Sequence, residues 1–306
     1  MAGTDSTRAI LFALGANFAI AVAKGVAAWF THSSAMLAET VHSLADCGNQ
    51  LLLLLGMRQS RRPASPEHPL GHGKAVYFWS FLVALMLFSV GGMFSLYEGI
   101  HKLQHPTPLK QWWWAAGVLA FGIVAEGISM RACLQEVAKV RGDRSLWHWF
   151  RGSRQSELVV IFGEDLAALL GLCFALAAVL LTVATGNPMW DAAGTVAIGA
   201  LLMVVAVLVA IEVKAMLIGQ SIDPHRQALM RGFLEARPEV ANVISLITLQ
   251  LGSEVMVSVQ ARMHESRDAQ ALLVSINAVE RALKREFPEV RWSFFEPEQA
   301  AVADPA

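Results

Sequence analysis

His42 and Asp46 stand four residues apart in the apolar stretch Met36–Met57, MLAETVHSLADCGNQLLLLLGM. On a helix that spacing stacks both side chains on one face. An imidazole and a carboxylate so placed can grip one divalent cation, and a second helix could complete a four-ligand shell. The same spacing also suits a buried hydrogen-bonded pair that joins two helices, and spacing alone leaves both readings open. Glu39, Asn49 and Gln50 share the stretch, whereas Leu51–Leu55 is pure leucine. Polar groups inside an apolar span are costly and turn inward toward a partner or water.

A second polar interruption is Glu164-Asp165 within VVIFGEDLAALLGL. Neighbouring residues point about 100° apart on a helix, so only one of the two is expected to face a shared site. The alternative for Glu164 is an interhelical salt bridge or hydrogen bond. His68 and His72 in PEHPLGHGK form a third pair that suits a surface metal site or a solvated turn. Glu126 and Lys24 lie deep in apolar stretches and suit a proton relay or, more simply, helix glue. Glu98 and His101 read as interfacial, and Asn17, Asn49 and Gln50 suit hydrogen bonding to a ligand or between helices.

The elements that must position these groups are membrane spans. Of 306 residues, 55% are hydrophobic and 16% charged, with mean hydropathy +0.47; soluble chains average about 25% charged. Six stretches have spanning length: Ala9–Phe30, Met36–Met57, Ala75–Ile100, Trp112–Met130, Leu158–Thr182 and Trp190–Ile211. Trp112-Trp113-Trp114 reads as an interfacial anchor, and Trp147–Phe150 as a segment lying on the membrane surface. Arg58, Arg61, Arg62 and Lys74 fill the second-to-third loop, and Arg131, Lys139, Arg141, Arg144, Arg151 and Arg154 the fourth-to-fifth. The third-to-fourth loop carries Lys102 and Lys110, and the others no Lys or Arg. The positive-inside rule then places both termini in the cytoplasm. The start, MAGTDSTR, leads into an apolar segment too long for a signal peptide, so a bacterial inner membrane is the expected location. A net charge of −1 gives no basic surface for nucleic acid, and Cys47, Cys133 and Cys173 lack the spacing of a disulfide framework or zinc knuckle.

After Ser221-Ile222-Asp223-Pro224, from His225 to about Pro297, the composition becomes that of a soluble domain. Helix Gln227–Ala236, strands Val243–Leu251 and Glu254–Met263, helix Ala269–Phe287 and strand Val290–Phe295 are expected from periodicity. That order suggests a small open α+β sandwich, small enough to favour pairing with a second copy. The expected organisation is thus residues 1–220 as a six-helix transport domain, 221–298 as a cytoplasmic domain and 299–306 as a disordered tail.

In this order, the HSLAD pair, the acid in the fifth span, the GHGK turn before the third span, HPTP after it and the α+β tail resemble the cation diffusion facilitators, over about Ala9–Pro297. FGED-LAALLG is similar to the branch containing the mitochondrial zinc exporter. The resemblance implies a polytopic α-helical membrane protein with a C-terminal ferredoxin-like dimerisation domain. It implies exchange of a divalent metal, first Zn²⁺ and otherwise Fe²⁺, Mn²⁺ or Co²⁺, against protons. Ligands are expected from the second and fifth spans: His42, Asp46 and Asp165, with Glu164 or a water in place of the ligand missing at Ile161, where many relatives carry His or Asp. Asn49, His68 and His72 are weaker candidates. Positions that bind zinc in relatives' soluble domains hold Ile244, Gln260 and Phe294; Glu296 matches alone, and His225 and His264 do not match. The domain is therefore expected to lack a two-zinc site. The bilayer, a divalent metal and a second copy are the expected partners. A membrane-anchored scaffold is the rival from another class, although an anchor has no use for intramembrane charge. An enzyme is not indicated, since no HExxH or nucleophile constellation is present.

Overall fold

In the computed structural model, residues 2–109 and 111–298 are described; the side chains of residues 2–13, 16 and 17 are not. The Asn17 side chain, Lys110 and the tail at 299–306 therefore lie outside what is described. The first compact unit comprises the chain up to Gly56 with Phe78–Arg151 and Ser156–Val213. It is built from long helices. α1 (Ala2–Thr31) and α2 (Ser34–Ser60) precede a third span made of α3 (Ala75–Met86), a π-helical segment (Leu87–Met93) and α4 (Phe94–Gln104). Then follow α5 (Trp112–Arg141), the short α6 (Leu146–Gly152), α7 (Ser156–Thr185) and α8 (Met189–Ile218). Among the described residues, four stretches are long and apolar enough to cross a bilayer: Ala75–Gln104, α5, α7 and α8. α1 and α2 have comparable length, at 30 and 27 residues, and α2 falls short in hydropathy because of the polar groups that set it apart. The chain is an integral membrane protein.

Small residues let these helices approach closely. A Cβ on Gly199 of α8 would lie 2.6 Å from the backbone nitrogen of Leu96, and one on Gly92 would lie 2.5 Å from Cγ of Met203. The π-helical segment carries Gly91 and Gly92 at this contact. Single π turns inside α-helices are frequent at functional sites, and this one runs beside His42: a Cβ at Gly91 would lie 3.9 Å from its Nδ1.

The second unit comprises Met57–Tyr77, Gly152–Gln155 and the chain from Lys214 on. It folds as α9 (Pro224–Glu235), β1 (Val240–Leu251), β2 (Glu254–Met263), α10 (Ala269–Glu286) and β3 (Val290–Pro297). Asp223 caps α9 by accepting from the His225 N–H, with Pro224 in the first turn, and Asp268 caps α10 by accepting from the Ala271 N–H. The sheet order is β1-β2-β3; β1 and β2 form an antiparallel hairpin, and β3 joins β2 in parallel after the α10 crossover. Val255, Val257, Val259 and Ala261 alternate inward from β2 onto Met230, Leu234, Val279, Leu283 and Phe287. This is the expected α+β domain.

The loop after α2 belongs to this unit. Gly252, at φ 67°, turns the hairpin, and its N–H donates to the Tyr77 hydroxyl at 2.9 Å. A Cβ at Gly73 would lie 2.2 Å from the Leu251 carbonyl oxygen and 2.7 Å from its carbon. Backbone cannot yield as a flexible side chain can, so Gly73→Ala should destabilise this unit by about 1–3 kcal/mol. A lowered unfolding temperature in a thermal melt of the purified protein is the expected reading; an unchanged one would contradict this packing.

Candidate metal-transport site

α2 brings its polar residues into the interior of the first unit as the hydrophobic pattern requires. His42 and Asn49 are fully buried, and Asp46 is 17% exposed at its side chain. His42 Nδ1 lies 3.6 Å from Asp46 Oδ1, too far for a hydrogen bond but close enough for both to bind one ion. From α7, Glu164 is buried on the face that also carries Val160, Ala167, Ala168 and Gly171. It faces Asp46 and Asn49, without a contact to Asn49 that meets hydrogen-bond geometry. Asp165 turns to α5, where it accepts from the Ser129 hydroxyl at 3.2 Å and lies near Glu126 as well as Asp46. The adjacent acids thus divide between two neighbouring helices, as a 100° step predicts. Ile161, one turn earlier, is 39% exposed and points out of the bundle.

The hydrogen-bond inventory is unusual. Both ring nitrogens of His42, Oδ1 of Asp46, both amide atoms of Asn49, Oε1 of Gln50 and Oε1 of Glu164 are buried without a hydrogen-bond partner. Buried polar atoms are ordinarily satisfied, and a cluster that is not requires a reason. Among the described residues, no three His, Cys, Asp or Glu side chains converge tightly enough to hold a metal ion in this conformation.

The description "Cation efflux transmembrane domain" matches residues 10–218, which contain every element of this site. The chain belongs to the cation efflux family. It is 35% identical over 228 residues to the mitochondrial proton-coupled zinc antiporter SLC30A9 of Xenopus laevis, covering 74% of this chain and 41% of that one. The human SLC30A9 antiporter is 35% identical over 230 residues, 74% of this chain and 40% of that protein. The cation-efflux pump FieF of Klebsiella pneumoniae is 28% identical over 286 residues, covering 92% and 89% of the two chains. The matched region thus spans about two-fifths of the length of the antiporters and most of the pump. The cation efflux family is one of transporters, not of enzymes.

Other expected sites in this cation efflux protein divide clearly. His68 and His72 stack with ring centroids 4.3 Å apart, and among the described residues no third His, Cys, Asp or Glu joins them. In the soluble domain, the Gln260 amide donates to Glu296 at 2.8 Å. Glu98 and His101 line a cavity of about 510 Å³, together with His32 and His105.

Two buried ion pairs escape sequence reasoning. Lys102, counted only as a loop charge, lies 3.1 Å from Asp191 of α8. Asp191 accepts from the Ser33 hydroxyl at 2.6 Å and the Ser34 N–H at 2.9 Å, so it ties the α1–α2 turn to α8. Lys24 lies 3.2 Å from Glu39 and donates to Ser43 at 2.7 Å, all buried. Removing one partner of such a pair typically costs about 3–5 kcal/mol. The signal for the second pair was present: each residue alone is a charge in an apolar stretch that must find a partner.

Proposed function

We propose that this cation efflux protein is a proton-coupled exporter of divalent transition metal, with Zn²⁺ as its substrate. The observation that carries this reading is the set of buried, unpartnered donor atoms on facing turns of α2 and α7. His42, Asp46 and Glu164 supply one nitrogen and two carboxylates to the ion. Asp165, held by Ser129, stands beside the shell on α7, and Asn49 supports Glu164. The likeness to proteins named zinc antiporters supports both substrate and counter-ion.

Imidazole ligates only when neutral, and carboxylates only when ionised, so metal binding releases protons and protonation expels metal. Exposing one midplane site alternately to the two sides then exchanges the ions. The π-helical turn beside His42 and the glycine contacts of the third span with α8 are the places where helices can slide. The basic loops and both termini face the cytoplasm, so loading occurs there. Pairing through the soluble domain makes a homodimer.

A second reading within transport rests on the donor set. One imidazole with two carboxylates is an oxygen-rich donor set and also suits Fe²⁺, Mn²⁺ or Co²⁺. Metal-dependent proton flux in liposomes containing the purified chain separates the readings. Zn²⁺-driven flux is the expected result. Flux with Fe²⁺ or Mn²⁺ alone would keep the exchange and change the substrate, and no flux with any metal from folded protein would favour the scaffold.

A further inference from the structure

We infer that the Lys24–Glu39 ion pair is a gate that seals the metal site from the side of the membrane bearing the α1–α2 turn. The inference rests on the exchanger reading, and it assigns roles to two residues that reading leaves unused.

Position is the first argument. The cavity of about 510 Å³ near the α1–α2 turn is lined by Gly25 and Ala28 of α1, by Ser34 and Leu37 of α2, and by His101. Ala28 stands four residues after Lys24 on the same face of α1, so the cavity begins about one turn from the pair. On α2, Glu39 precedes His42 by three residues and shares its face, one turn nearer the α1–α2 turn. An ion moving from His42 along that face toward the turn meets the pair.

Packing is the second. A Cβ at Gly171 of α7 would lie 2.6 Å from Glu39 Oε1, and one at Gly122 of α5 would lie 3.8 Å from Lys24 Cε. A Cβ at Gly25 would lie 3.2 Å from the Thr40 methyl. Four helices thus close around the pair. Lys24 and Glu39 are both 0% exposed.

The third argument is what the pair leaves undone. Glue is expected to satisfy every buried lone pair, since an unmet one is costly. Glu39 Oε1 has no hydrogen-bond partner. A contact optimised for permanence would fill that valence, whereas one that must open and re-form needs a free oxygen to receive a departing cation. A lysine in a span is costly where leucine would pack, and a seal that a divalent ion can compete for is a use that repays it: the metal displaces the ammonium from Glu39 on its way out, and Lys24 returns behind it.

The test uses the full chain in liposomes and reads passive proton leak without metal, then the dependence of metal flux on a proton gradient. Wild type should be tight and coupled. Lys24→Met and Glu39→Gln should raise the leak about tenfold or more and let metal run downhill without a proton gradient, while Lys24→Arg and the exchanged pair Lys24→Glu/Glu39→Lys stay tight. Folded single variants that remain tight and coupled would overturn the gate. If the single variants do not fold, the exchanged pair decides: folded and tight supports the gate, leaky or unfolded overturns it. Wild type that moves no metal would instead defeat the exchanger reading, and its own leak would still be measurable.

Discussion

Asp46→Ala should abolish metal-dependent proton flux while leaving the protein inserted and folded. Asp46 is the acid closest to His42, its Oδ1 has no hydrogen-bond partner, and Glu164 from α7 faces it. It is therefore the one group that both halves of the proposed shell share. Loss of an outer-shell partner typically costs about 10–100-fold in metal affinity or activity, and loss of the shared ligand should exceed that range. Stability should change little, because Asp46 anchors no helix: its oxygen makes no bond that alanine would break. His42→Ala should match it in transport. Measurement requires flux in liposomes alongside a thermal melt in detergent. A normal rate for Asp46→Ala would remove α2 from the site, and with it the exchanger reading.

The spans were legible because an apolar run of bilayer length has few other uses. Boundaries were less so. α5 runs to Arg141, beyond the Met130 expected from hydropathy, because RACLQEVAKVR is made largely of good helix formers that continue once the apolar pattern stops. In the soluble domain, β2 was readable to the residue: VMVSVQARM alternates, and its inward positions are the buried ones. The inclusion of the α2–α3 loop in that unit was not, since the close approach of Gly73 to Leu251 is a tertiary contact between residues far apart in the chain. The candidate site shows the same divide. That His42 and Asp46 share a face follows from helix geometry alone. Which helix each α7 acid meets depends on the rotation of α7 between α2 and α5, and that rotation is set by packing around small residues such as Gly163 and Gly171. The pairing of Lys24 with Glu39 likewise needs the α1–α2 turn to be folded, and that turn is held by Asp191 and Lys102 from other spans.

That rotation leads to the second large effect. Glu164→Gln should lower Zn²⁺-dependent flux by at least about 100-fold, and Asp165→Asn by about tenfold or less. The family resemblance alone implies the reverse order, since it matches Asp165 to the fifth-span acid. The geometry favours Glu164: it is 8% exposed, keeps an unpartnered Oε1 and faces Asp46 and Asn49 of α2. Asp165 is already engaged by Ser129 and shares its surroundings with Glu126 on α5. Glutamine and asparagine keep shape and remove charge, so the comparison isolates ligation from packing. Co²⁺ absorption provides a readout independent of transport, because a tetrahedral shell that loses a carboxylate changes its spectrum. A strong spectral change with Glu164→Gln and a weak one with Asp165→Asn would place the α7 ligand at Glu164. The opposite order would mean that α7 rotates by about one residue step, roughly 100°, to load its ion, bringing Asp165 from Ser129 onto Asp46 and carrying Glu164 out of the shell.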